Sequence, residues 1–160
     1  MIEIRKFQNA SEFLIKCESY LVKDETKYNL ILGLADAMAT GTRTGNAELY
    51  LGIYDEGVLK GVCVRTDNER PLSLTEMDEK YLKKLVTFIH KKKIILAGVI
   101  GPNDIAEKFG NFYIEGEIIK LRLSMHQGIY ELNNLIIPQS QNCHLSLAKK
   151  EDRSIVKNLI

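Results

Sequence analysis

The chain has 160 residues, 45% of them hydrophobic and 27% charged, and 22 Lys plus Arg against 21 Asp plus Glu leave a formal charge of +1. That length suits one ordinary domain able to bury a core without staples, and the composition is that of a soluble globular protein. So balanced a charge offers no global field for nucleic acid or an acidic membrane, and no apolar run approaches the ~20 residues that cross a bilayer.

MIEIRKFQ alternates Ile2 and Ile4 with Glu3 and Arg5, which predicts a short half-buried strand and not a signal peptide. Ser11 is the expected N-cap of a helix with Phe13, Leu14, Cys17 and Leu21 on one face. Asp24-Glu25-Thr26 opens a second helix in which Ile31, Leu34, Ala35 and Met38 repeat at helical spacing; Leu30 and Leu32 widen that face and predict a largely buried helix. TGTRTGN ends it as a loop. In ELYLGIYD, Leu49, Leu51 and Ile53 point one way and Tyr50 and Tyr54 the other, Glu56-Gly57 supplies a turn, and VLKGVCVRT returns antiparallel. DNERP is a loop, and LSLT a short further strand. Thr75 and Asp78 have the spacing of a capping box before a helix with Leu82, Leu85, Val86 and Ile89 on one face. Lys91-Lys92-Lys93 is a solvated end of that helix, where cations suit the dipole.

IILAGVI is a continuous apolar run, expected as a strand covered on both sides. Pro102 and Asn103 start another helix, Asn103 as its N-cap, with Ile105, Ala106, Phe109, Phe112 and Tyr113 inward. IIKLRLSM then alternates cleanly, His126-Gln127-Gly128 turns it into IYEL, and a linker of little periodicity follows at 133–142. From Cys143 to Ile160 a strand with Leu145 and Leu147 leads into the opening of a helix at Ile155-Val156. The expected order is β α α β β β α β α β β, a linker, then β and a broken α. This is an α/β (α+β) chain: residues 1–132 form one domain and 143–160 the first strand and helix start of a second.

That order, with several local motifs, resembles the GNAT superfamily of acyl-CoA-dependent N-acyltransferases. LYLGIYDEGVLKGVCV is similar to the family's second and third strands around an exposed turn, and GVIGPNDIAEKF to its fifth strand and fourth helix, with Asn103, Ala106 and Phe109 in the N-x-x-A-x-x-(L/F) positions. Gly98 to Pro102 and MHQGIYEL resemble, more narrowly, the degenerate N-terminal domain of bacterial two-domain GNAT proteins. The resemblance covers nearly the whole chain. It implies a mixed, mostly antiparallel sheet with helices on both faces, a cytoplasmic bacterial protein, and acetyl-CoA as the cofactor of the complete enzyme. It also makes the tail the start of a catalytic GNAT domain, with Ile155-Val156 corresponding to Phe13-Leu14.

Active members carry a Q/R-x-x-G-x-G/A loop after the fourth strand, whose backbone N–H groups and following helix N-terminus take the CoA pyrophosphate. Here that stretch reads LSLTEMDEKYLKKL, without glycine and with Glu76, Asp78 and Glu79 where the pyrophosphate would sit. A tyrosine general acid expected seven residues after Asn103 falls on Gly110. Tyr113 is one turn further on and reads first as an inner-stripe aromatic. No catalytic residue and no tight cofactor site are therefore expected in this chain. Any residual acyl-CoA contact would fall on the strand backbone at Ser73, Leu74 and Thr75 and on the helix start at Asn103.

Two further readings compete. A stand-alone binding or assembly module would use unpaired backbone around Ser73, Leu74 and Thr75, where such sheets splay, to take a peptide, a metabolite or a second subunit. Weak acyl-CoA binding through strand backbone alone is the third. Asp67, Glu69 and Glu76 crowd the expected mouth of the sheet, as a solvated loop or a lure for an amine. GTRTGN lacks the G-K-[ST] of a phosphate loop, and His90, His126 and His144 have no metal-ligand spacing. Cys17, Cys63 and Cys143 are odd in number and widely spaced, predicting reduced thiols, with Cys63 a packed small hydrophobe. The expected partners are the catalytic GNAT domain or a second copy in a homodimer, with no nucleic acid, membrane or metal. The apolar tail residues Leu145, Leu147, Ile155, Val156, Leu159 and Ile160 need a cover, expected on a sheet edge or another copy.

Overall fold

The computed structural model describes residues 1–46, 48–136 and 147–157. The chain divides into two units, Met1–Tyr130 and Glu131–Ile160. The first is built from strand β1 (Ile2–Phe7), helices α1 (Ala10–Leu21) and α2 (Glu25–Ala39), strands β2 (Leu49–Asp55), β3 (Val58–Arg65) and β4 (Leu72–Leu74), helix α3 (Glu79–Lys91), strand β5 (Val99–Ile100) and helix α4 (Asn103–Tyr113). The five strands make one sheet in sequence order, antiparallel throughout except for the parallel pair β4–β5.

Alternation along β2 explains why the sheet is covered on both faces. Leu49, Leu51 and Ile53 join Cys63, Leu72 and Leu74 under α3 and α4, packing on Leu82, Leu85, Ile89 and Phe109. Tyr50 and Tyr54, with Phe7, Val62 and Val64, face Phe13, Cys17, Leu21, Ile31 and Ala35 of α1 and α2. The turn between β2 and β3 has φ +51° at Glu56 and +81° at Gly57, the left-handed pair of a type I′ hairpin. A bulge interrupts this pairing: Ile53 faces Gly61 but Tyr54 faces Leu59, leaving Lys60 as the extra residue.

Several local expectations are corrected. The N-cap of α1 is Asn9, not Ser11: its Oδ1 accepts from the Glu12 N–H at 2.9 Å, while the Glu12 carboxylate accepts from Gln8 N–H at 2.7 Å. Asn9→Ala is expected to cost about 1 kcal/mol in urea unfolding, and Ser11→Ala to leave the midpoint unchanged. Helix α2 opens at Asp24-Glu25 as expected, with Asp24 as its N-cap. It buries only one stripe, Tyr28, Ile31 and Ala35, with Leu30 exposed.

The run Ile94–Ile100 is a strand only at Val99–Ile100, because its earlier backbone groups are held by other partners. Ile94 N–H donates to Ile89 O at 3.0 Å in the helix end, Arg65 donates to Ile95 O at 2.9 Å, and Leu96 N–H donates to the Tyr113 hydroxyl at 3.3 Å. Residues 118–125 and 129–132, expected as a strand pair, form no strand. Alternation settles which side chains share a face, but a strand needs an edge to pair with, and here Leu121 lies instead against Gly110 of α4.

In the second unit a short helix, α5 (Arg153–Lys157), follows a 3₁₀ turn at Lys150–Asp152. Leu147 lies outside any strand and, like Ile155, is exposed, so the apolar cover expected for the tail is not found at these two positions. Cys143, His144, Leu145, Leu159, Ile160 and the side chain of Val156 lie outside the described residues. Among the described residues no helix is long and apolar enough to cross a membrane.

Candidate functional site

The first unit has an open cleft of about 540 Å³ where α1, α2, β3, α4 and the β4–α3 connection meet. The end of α1 supplies Tyr20 and the start of α2 Tyr28, the bulge on β3 supplies Lys60, the β4–α3 connection supplies Glu76 to Glu79, and the first turns of α4 supply Asp104, Ile105 and Lys108. The bulge shapes it directly. It turns the Lys60 carbonyl toward Tyr20, whose hydroxyl lies 3.2 Å from Lys60 O and 3.4 Å from Glu76 O. It also brings Gly61 under Met77, so close that a Cβ on Gly61 would lie 2.7 Å from the Met77 methyl.

Tyr20 and Tyr28 stack with ring centroids 6.1 Å apart and planes 12° from parallel. Burial pushes the Tyr28 phenol up to about 12 and raises Tyr20 as well, the latter against hydrogen bonds with Thr75 and Tyr28 that pull it down. Both hydroxyls therefore stay protonated at neutral pH, and that of Tyr20 donates toward the Lys60 and Glu76 carbonyls. Of the carboxylates, Glu76 pairs with Lys27, Glu79 with Lys83 at 2.6 Å, and Asp104 with Lys108 at 3.8 Å. The hydrogen bond to Lys83 is the main cause holding Glu79 below the ordinary carboxylate range, as that to Glu76 holds Lys27 above the ordinary ammonium range. Asp78 has no ion pair among the described residues.

Thr75 is not a helix cap. It is fully buried where β4 leaves the sheet: its N–H donates to Val62 O at 3.1 Å, while its Oγ1 accepts from Val62 N–H at 2.9 Å. The cap position of α3 belongs to Asp78, whose side chain accepts no capping bond, so the first-turn donors have no side-chain acceptor. Likewise α4 is entered from Pro102, and Asn103 is its exposed first residue, not its N-cap.

Ser73 is paired on both sides, with Val64 and Ile100, and Leu74 is paired with Cys63. The backbone at these three positions is therefore largely engaged, not splayed open. The β4–β5 ladder stops at Ser73, and Gly101 then passes so near Leu74 that a Cβ there would sit 2.9 Å from its carbonyl oxygen.

Other candidates disperse. Tyr113 does not line the cleft; its ring stacks on Phe109 at 6.2 Å and its hydroxyl ties down Ile94 and Leu96. Glu76 lines the cleft without Asp67 or Glu69. Asp67 instead accepts from the Glu69 and Asn46 N–H groups, which hold its carboxyl below the ordinary range. Burial pushes the Cys17 thiol up to about 12 and raises Cys63 too, so neither is a nucleophile at neutral pH. No metal-holding cluster of His, Cys, Asp and Glu occurs among the described residues.

Sequence reasoning named Glu76, Asp78 and Glu79 but missed Tyr20, Tyr28, Lys60, Asp104 and Lys108. A bulge leaves no mark in a clean alternating strand, and the two tyrosines meet only because the chain breaks between α1 and α2. Comparison of the chain with protein-family profiles, curated proteins and solved structures finds no match. Fold and site together define an α/β domain with a five-stranded mixed sheet and a polar, acid-rich cleft at the end of its fourth strand.

Proposed function

We propose that this chain is the N-terminal, non-catalytic portion of a GNAT-type acetyltransferase, an enzyme that transfers an acetyl group from acetyl-CoA to an amine, with this portion packing against the catalytic domain and helping to shape its acceptor site. The order of elements up to α4 supports the reading, as does a sheet whose single parallel pair joins the fourth and fifth strands. The observation that carries the non-catalytic part is the cleft itself. Where a pyrophosphate would meet glycine N–H groups, the β4–α3 connection brings Glu76, Asp78 and Glu79, with Asp104 across from them. Exposed charges at a helix start each matter by about 0.3–1 kcal/mol, and here they oppose an anion. The position of the family's general acid is Gly110, which has no proton to give.

Calorimetric titration of the chain with acetyl-CoA is expected to give no saturable heat at micromolar concentration. Tight saturable binding would refute the non-catalytic assignment.

A further inference from the structure

After α4 the chain doubles back. Glu117 N–H donates to Ile114 O at 2.9 Å, and Gly116 inside that turn has φ +84° with open space around its missing Cβ, a left-handed conformation that glycine adopts without steric cost. The returning chain lays Leu121 on Gly110 of α4. A Cβ on Gly110 would lie 2.8 Å from Leu121 Cδ1 and 3.1 Å from Cδ2, so the leucine fits there because that helix position has no side chain. Little else fastens the segment. Residues 118–130 are all exposed, and none of them has a hydrogen bond or ion pair among the described residues. Leu121, 46% exposed, is the most covered of their large apolar side chains.

We infer that residues 118–130 are a strap that closes on α4 with Leu121 as its pin and opens at Gly116 while the domain stays folded. A segment whose backbone makes no hydrogen bonds sits at the low end of local stability. The docked form gains about half the burial of one leucine, a bias of roughly tenfold, against the backbone freedom regained on release. The sheet and both its apolar cores are complete without the strap. Strands β1 to β5 pair among themselves, and among the described residues neither core draws on a residue beyond Tyr113. Opening therefore dismantles no element of the fold. It frees Leu121 to join Ile119, Leu123 and Met125, which alternate with Lys120, Arg122 and Ser124 as a strand does. This inference stands independently of any acetyltransferase reading.

Trypsin reads the strap directly, because exposed Lys120 and Arg122 flank Leu121 and cleavage of a segment that opens and recloses quickly tracks its open population. In the full 160-residue chain, cuts after Lys120 and Arg122, followed by mass spectrometry, are expected before any other within Met1–Tyr130. Leu121→Ala is expected to speed them about fivefold with the melting temperature unchanged. Gly110→Ala separates strap from fold by sign. Its methyl evicts Leu121 and speeds the cuts equally, yet alanine suits a helix better than glycine, so melting is expected to rise by about 2–4 °C. The double variant is then cut no faster than either single one. A lower melting temperature in either variant overturns the inference, because the segment would then be part of the fold. Unchanged cutting rates in both variants overturn it too, as does wild-type cleavage at these sites only on global unfolding.

Discussion

Phe13→Ala is expected to lower the unfolding free energy by about 3–5 kcal/mol, a large part of the 5–15 kcal/mol typical of a whole domain. Phe13 is completely buried between two rings: Phe7 of β1, edge-on at 5.8 Å, and Tyr50 of β2 at 5.7 Å. Truncation removes both ring contacts and leaves a cavity under α1 that the surrounding Leu21, Ile31 and Val64 cannot fill without leaving their own packing. Two residues along the same helix the position is reversed. Ile15 is 79% exposed, and Ile15→Ala should stay within about 0.5 kcal/mol. Urea unfolding followed by circular dichroism reads both. A loss below about 1 kcal/mol for Phe13→Ala would mean that α1 does not seat on the sheet as described.

That contrast shows where the sequence was readable. Phe13, Cys17 and Leu21 repeat at helical spacing, Leu49, Leu51 and Ile53 at strand spacing, and each period names its buried face without help from the rest of the chain. The Glu56-Gly57 turn was readable for the same local reason. What failed depended on distant partners. IILAGVI has the composition of a buried strand, yet its backbone bonds go to the end of α3 and to Arg65 and Tyr113, the last two 30 and 17 residues away along the chain. IIKLRLSM alternates as cleanly as any strand of the sheet, yet it forms no strand. For the cleft, the acids of the β4–α3 connection were legible as a contiguous run. The aromatic and lysine walls come from four separate elements brought together by a bulge, and their assembly is a property of the sheet.

Thr75→Val is expected to cost about 1–3 kcal/mol although it conserves shape, and it is the sharper test of how the cleft is built. T-x-x-D before a helix reads as a capping box, in which the hydroxyl faces solvent and the helix start. In the fold the hydroxyl faces the opposite way. At Thr75 the chain leaves the ladder with β3, and the Oγ1 takes over from the next backbone carbonyl as acceptor for Val62 N–H at 2.9 Å. Valine keeps the packing and strands that N–H in a site with no exposure to water. Thr75→Ser retains the acceptor and loses only a methyl, so it should retain most of the stability and all of the protection of the Val62 amide. Under the capping reading the order changes. Valine would then fray the first turn of α3 by about 1 kcal/mol and leave Val62 untouched. Amide exchange at Val62 separates the two, because only loss of the ladder bond exposes that single N–H. The same bond fixes where β4 turns toward α3, and so where Glu76 and Asp78 present their charge. A valine variant in which Val62 exchanges as slowly as in the wild type would leave the acidic wall of the cleft without its anchor in the sheet.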